Sequence, residues 1–238
     1  MTVTIAKMSL AVAAFAAIAA GCSPLAPRPD YSKFFILTPN SADPETGSVG
    51  APTSVTSHLV IGIGPIDFPD YLRRAEVVTR TAPNQVVLSE QDRWAEPLDK
   101  NFSRILTENL ARSLNTQRIE KYPWPRKTQV DYQIVIDVQR FETTSDNESQ
   151  LIARWIIKDG QSGKDLYGSE TTAREPVAAG DTGASAALSS DLAILSTEIA
   201  TRVTALTQER KGISKVKVSR RSAITAGLAR ARQLRIEE

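Results

Sequence analysis

The stretch from Leu59 to Leu114 constrains the fold more than any other part of this sequence. It opens with the apolar run Leu59-Val60-Ile61-Gly62-Ile63-Gly64-Pro65-Ile66, long enough for a buried strand. Two further strand-like runs follow, Ala75 to Arg80 and Gln85 to Leu88. Pro97 then suits the first position of a helix, where its missing N–H would be unbonded in any case. Leu98, Phe102, Ile105, Leu106, Leu110 and Leu114 recur at three- and four-residue steps and form one apolar stripe. Lys100, Arg104, Glu108 and Arg112 take the other face. This order of strands and helix predicts a core nucleated by local contacts.

The remaining elements read in the same way. Tyr31 to Leu37 is expected as a first strand, stopped by Pro39, and residues 40–57 as a polar surface loop. Val130, Tyr132, Ile134, Ile136 and Val138 alternate with polar residues, which gives a strand with one buried face. Leu151, Ala153, Trp155 and Ile157 do the same, and Leu166 to Ala173 forms a weaker third strand of a meander. Leu188, Leu192, Leu195, Ile199, Val203 and Leu206 make a second helical stripe, expected over 184–211 with Gly212 as its cap. Each helix has one apolar face, so one face of a sheet suffices to cover both. The expected fold is a single α+β domain over residues 31–212. Its sheet is mixed and mostly antiparallel, of six or seven strands, with two helices packed on one face.

The termini carry different signals. Lys7 precedes the apolar run Met8 to Ala20, which is shorter than the roughly 20 residues of a membrane-spanning helix. It fits the h-region of a signal peptide, residues 1–21. Ala19-Ala20-Gly21-Cys22 resembles a lipobox, with Ala19 where leucine is usual. Cleavage is expected between Gly21 and Cys22, and lipidation at the Cys22 thiol. Ser23 follows instead of the aspartate that would signal inner-membrane retention, which favours the outer membrane. Residues 22–30 contain Pro24, Pro27 and Pro29 and read as an extended spacer. Residues 213–238 form a basic tail: nine Lys or Arg and no acid lie between Arg210 and Arg235. A solvated tail and a tail that attracts anionic head groups or an acidic partner both fit.

Composition excludes several functions. The formal charge is +2, so no global charge drives nucleic-acid binding. One cysteine and one histidine leave out an internal disulfide and a Cys/His metal cluster. A Ser–His–acid triad would depend on His58 alone, a residue that also fits a solvated strand edge. Gly62-Ile63-Gly64 lacks the third glycine of a nucleotide loop, and the glycines fit a bulge or a close backbone approach. Asp92 and Glu96 stand beside a helix start and suit its positive end. The chain is read as non-catalytic, with no cofactor and no metal.

The ordered series "GIGPIDFPDYLRRAEVVTR" and "DRWAEPLDKNFSRILTENLARSL" resembles the PqiC-type (YmbA-like) auxiliary lipoproteins of ABC-type and MCE-type lipid transport systems. The matching residues include Pro65, Tyr71, Leu72, Arg74, Arg80, Trp94 and Pro97. Within this set, Tyr71, Leu72 and Arg74 are candidates for partner contacts or for holding the fold. Trp94 fits a partner anchor or a core position, and Tyr122 and Trp124 fit a lipid or partner contact or packing over the sheet edge. The resemblance implies a lipoprotein anchored in the outer membrane of a Gram-negative bacterium and facing the periplasm. Its implied partners are a periplasm-spanning MCE protein, the associated inner-membrane transporter and further copies of itself, with no nucleic acid. A stand-alone binder of a lipid or other small hydrophobic molecule is the alternative; it would need a closed apolar pocket.

Overall fold

The structure, a computed structural model, describes residues 30–39 and 56–234, with side chains up to residue 212. Gly21, Cys22, Ser23, the spacer up to residue 29, the loop over 40–55 and the side chains of the basic tail lie outside the described residues. The chain divides into two units, Met1–Ser32 and Lys33–Glu238. Of the first unit only Asp30 to Ser32 is described, where the Ser32 N–H donates to Asp30 Oδ1 at 2.9 Å. The second unit carries the sheet and the helices.

Among the described residues of this second unit, eight strands and two α-helices follow in the order β1 (Lys33–Phe35), β2 (Ile61–Asp67), a 3₁₀ turn (Asp70–Leu72), β3 (Glu76–Ala82), β4 (Gln85–Trp94), α1 (Leu98–Ser113), β5 (Ile119–Lys121), β6 (Tyr132–Thr144), β7 (Ser149–Asp159), β8 (Asp165–Ala173) and α2 (Gly183–Leu234). The fold is α+β: one mixed eight-stranded sheet with both helices packed against it. The antiparallel meander β6-β7-β8 forms as expected for consecutive strands joined by short turns, and β3-β4 is a hairpin. Parallel pairing joins β2 to β5 and β6, β3 to β6, and β1 to β4. Such pairs need a crossover connection, which α1 supplies between the early strands and β6.

The long strand β6 is the spine. β7 pairs along it from Tyr132 to Thr143. β2 pairs with residues 132–137 and β3 with Thr143 and Thr144, so these two share its other edge one after the other. The hairpin β3-β4, with β1 outside it, therefore joins the sheet through a short seam.

Both helical stripes are core. Leu98, Phe102, Ile105, Leu106, Leu110 and Leu114 are all buried, as are Leu188, Leu192, Leu195, Ile199 and Val203. Phe102 sits edge-on between Phe68 and Phe141, with ring centroids 5.0 and 5.2 Å away. At these separations each aromatic pair adds to the burial term. Two buried asparagines tie α1 to its neighbours: Asn101 Oδ1 accepts the Leu37 N–H at 2.9 Å, and Asn109 Nδ2 donates to Ser196 Oγ on α2 at 3.3 Å.

Three expectations change. The first strand covers only Lys33–Phe35, because Leu37 turns inward to Asn101. The three-residue strand β5 was not expected; it completes an edge of β2. Gly212 does not cap α2, whose backbone continues as helix to Leu234. A single helical glycine costs about 1 kcal/mol, and no proline follows it to enforce a stop.

Candidate functional site

The residues singled out in the sequence fall into three groups in the structure: exposed, core and half-buried at the seam between β3 and β6. Pro65, Arg74 and Pro97 are exposed. Leu72 and Trp94 are core residues, and Pro97 accepts the Lys100 and Asn101 amides as α1 begins. Glu96 beside it accepts from Asn101 and, at 2.7 Å, from Arg104 Nη2, so the entry to α1 is held by polar contacts on both sides. The Arg104 guanidinium lowers the Glu96 carboxyl below its usual range.

Tyr71 and Arg80 come together at the seam. Arg80 Nε pairs with Glu142 Oε1 on β6, and Arg80 Nη1 donates to the Pro83 carbonyl at 2.9 Å. The guanidinium also lies 5.9 Å from the centroid of the Tyr71 ring. Burial, reinforced by the negative charge of Glu142, pushes the Tyr71 phenol up to about 12. Beside this cluster Thr79 and Thr143 share a hydroxyl hydrogen bond of 2.9 Å. The arrangement ties the turn before β3, β3 itself and β6 together. Glu142 was not singled out in the sequence. It is buried, with Oε2 unpartnered among the described residues, and a lone glutamate late in a strand carries no sequence signal of that.

At the opposite end of the spine, β2 is covered by the segment after β5. Gly62 lies under the Trp124 ring and Gly64, at φ +116°, under Tyr122. The two rings meet edge-on at 5.6 Å. The paired register of β2 and β6 shifts between Ile63 and Ile66, so the glycines mark both a bulge and a close approach. Trp124 packs over the sheet, whereas Tyr122 remains 55% exposed. His58 stands on an exposed turn before β2, and its carbonyl accepts from Arg118 Nη1.

A groove of about 890 Å³ runs between the outer strand β8 and α2. Trp155 and Tyr167 line it from the sheet and Ile194 from the helix; Glu170, Glu175 and Glu198 are its carboxylates. Arg202 lies 4.4 Å over the Tyr167 ring. It is open along one side and charged, unlike the closed apolar pocket a stand-alone lipid binder would need. Among the described residues no group of three His, Cys, Asp or Glu side chains is placed to hold a metal ion. No described helix is long and apolar enough to cross a membrane.

Comparison with solved structures finds the same fold elsewhere. A crystal structure of an uncharacterized protein matches with a TM-score of 0.58 at 18% identity, covering 72% of this chain and 98% of that one. The protein XCC0632 from Xanthomonas campestris matches with a TM-score of 0.57 at 15% identity, covering 76% and 99%. No curated protein matches. The sequence model of the ABC-type transport auxiliary lipoprotein component matches residues 42–200. That span takes in the core of the fold, the seam and most of the groove, and the chain belongs to this family of ABC-type transport auxiliary lipoproteins, the PqiC-type family its sequence resembles.

Proposed function

We propose that this protein is a non-catalytic lipoprotein, anchored in the outer membrane through Cys22, that docks a periplasm-spanning MCE protein and its inner-membrane transporter to that membrane. The family match over residues 42–200 carries the reading, because auxiliary components of this class act beside an ABC-type transporter. The lipobox-like Ala19-Ala20-Gly21-Cys22 supports the anchor, Ser23 the outer-membrane destination, and the prolines of residues 22–30 the reach inward. Multiple acyl chains make such anchoring stable, at about 0.8 kcal/mol per buried CH₂.

The sheet supports a docking role in a second way. β1, at one end of the sheet, exposes Phe34 at 65%, and Ile36 just beyond it is exposed at 44%. Among the described residues β1 pairs only with β4, and apolar side chains on such an edge strand suit contact with another chain. Self-association would make the docking multivalent, so that each added contact acts at high effective concentration. Tyr71, Leu72 and Arg74 remain contact candidates within this reading; of these, Arg74 has the accessible side chain. Nucleic acid has no place in it.

Co-purification of the lipoprotein with an MCE protein encoded beside it, with light scattering on the same sample, tests the proposal. A stable complex and a homo-oligomer are expected. A strictly monomeric protein with no affinity for any MCE protein would leave the small hydrophobic ligand as the better reading.

A further inference from the structure

The groove beside α2 has a property that its volume alone does not convey. β8 pairs only with β7, so the other backbone edge of residues 165–173 is unpaired among the described residues. α2 lies alongside it: Ser190, Thr197 and Thr201 line the groove from the helix, and Ser190 and Thr201 are exposed. A free strand edge bordered by a helix presents a row of main-chain donors and acceptors next to side-chain pockets. That is the geometry in which an extended peptide adds to a sheet: the backbone supplies affinity and alternate side chains supply selectivity.

The side chains specify the occupant. Trp155 and Tyr167 give an aromatic floor, their centroids 5.5 Å apart, and Ile194 stands opposite. Glu170, Glu175 and Glu198 line the groove against one lining cation, Arg202. Counting the immediate partners does not reverse the balance. Glu170 pairs with Arg154 at 3.0 Å, and Arg202, stacked on Tyr167, lies 3.5 Å from Glu209. Four carboxylates therefore face two guanidiniums. Glu198 is held in place by a relay: Trp155 Nε1 donates to Thr171 Oγ1 at 2.9 Å, and the Thr171 hydroxyl donates in turn to Glu198 Oε2. An exposed carboxylate oriented by a buried indole and hydroxyl is set toward the groove before any ligand arrives.

We propose that the groove between β8 and α2 is a strand-addition site for an extended peptide segment of a partner protein, in which basic residues alternate with apolar ones. The backbone of the segment pairs with the edge of β8, its apolar side chains rest on Trp155 and Tyr167, and its cations meet Glu198 and Glu175. The inference goes beyond the docking reading and holds whether or not the partner is an MCE protein.

The test uses the full chain purified in detergent and a fluorescein-labelled peptide of Lys-Val repeats, followed by anisotropy. Saturable binding that weakens with salt is expected. Ser190→Trp, which fills the groove from an exposed helix position, and Thr201→Lys, which adds a like charge, should each weaken it about tenfold or more. Their melting temperatures should match the wild type, since neither side chain is buried. The same peptide with alternate amides N-methylated loses the backbone pairing and should not bind. Absence of binding by the Lys-Val peptide overturns the proposal. So does equal binding of the N-methylated peptide or of a Glu-Val peptide, or indifference to both substitutions in folded protein. If Ser190→Trp abolishes peptide binding but leaves an MCE complex intact, the strand-addition site stands and its partner is a protein other than the MCE protein.

Discussion

Trp124 lies so close over Gly62 that a Cβ at Gly62 would fall 2.7 Å from Cη2 of its ring. No side chain larger than hydrogen fits there unless the indole moves, and the indole is what covers β2. Gly62→Ala should therefore lower stability by about 1–3 kcal/mol through overpacking. Trp124→Leu in the same chain should recover part of that loss. A double-mutant cycle by urea denaturation reads the coupling; strictly additive effects would show that the two residues do not meet in solution.

The pair Arg80 and Glu142 makes a prediction of opposite kind. The Glu142 side chain is fully buried and that of Arg80 is 16% exposed. Removing the guanidinium leaves an uncompensated charge inside the seam, so Arg80→Ala should cost about 3–5 kcal/mol. Arg80→Met with Glu142→Leu should cost much less, because no charge is left behind. Chemical denaturation checks both. If Arg80→Ala keeps wild-type stability yet loses a partner, Arg80 acts at an interface and not in the fold.

Asp191 introduces a pH dependence. It is fully buried on α2, and among the described residues no group meets either carboxyl oxygen in full hydrogen-bond geometry, although the Ser149 hydroxyl lies near. Burial first, then the charge of Glu175, pushes the group up to about 7; Ser149 opposes the shift only in part. The folded state thus holds a proton that the unfolded state releases from about pH 4. The contribution of this group to stability is full below that pH and is lost as pH rises through 7. Asp191→Asn should stabilise the protein at pH 8, and the gain should shrink by about 2 kcal/mol at pH 5. Denaturation curves of both proteins at the two pH values measure this. An equal effect of the substitution at pH 5 and pH 8 would mean that Asp191 is ionised throughout.

The anchor is tested at Cys22. Fatty-acid labelling should mark the wild type and not Cys22→Ser, and Ser23→Asp should retain the protein at the inner membrane. Equal labelling of both proteins would remove the anchor from the proposed function; unchanged fractionation of Ser23→Asp would show that position 23 is not read in sorting.

Both helical stripes, the meander β6-β7-β8 and the bulge at Gly62 and Gly64 were legible in the sequence. Each is a local pattern: the period of the apolar residues fixes which face is buried whatever lies opposite. Leu106 needed only its neighbours on α1 to be assigned to the core, and it is completely buried. The family was legible for a related reason, since its residues lie in an ordered series within one stretch of chain.

The tertiary structure alone decided what depends on distant residues. The sequence names Arg80 as a matched position but not its partner Glu142, which lies 62 residues away and is brought near by the parallel pairing of β3 with β6. Alternation shows that a strand has a buried face and is silent about which strand lies beside it. The burial of Asp191 and the groove lined by Trp155, Tyr167, Glu198 and Arg202 arise in the same way, where α2 returns over β7 and β8. A charged residue is solvated by default, and only the packing of elements far apart in the chain removes its water. Hydrophobic periodicity therefore determined the layers of this protein by itself, whereas the long-range register decided which polar groups meet.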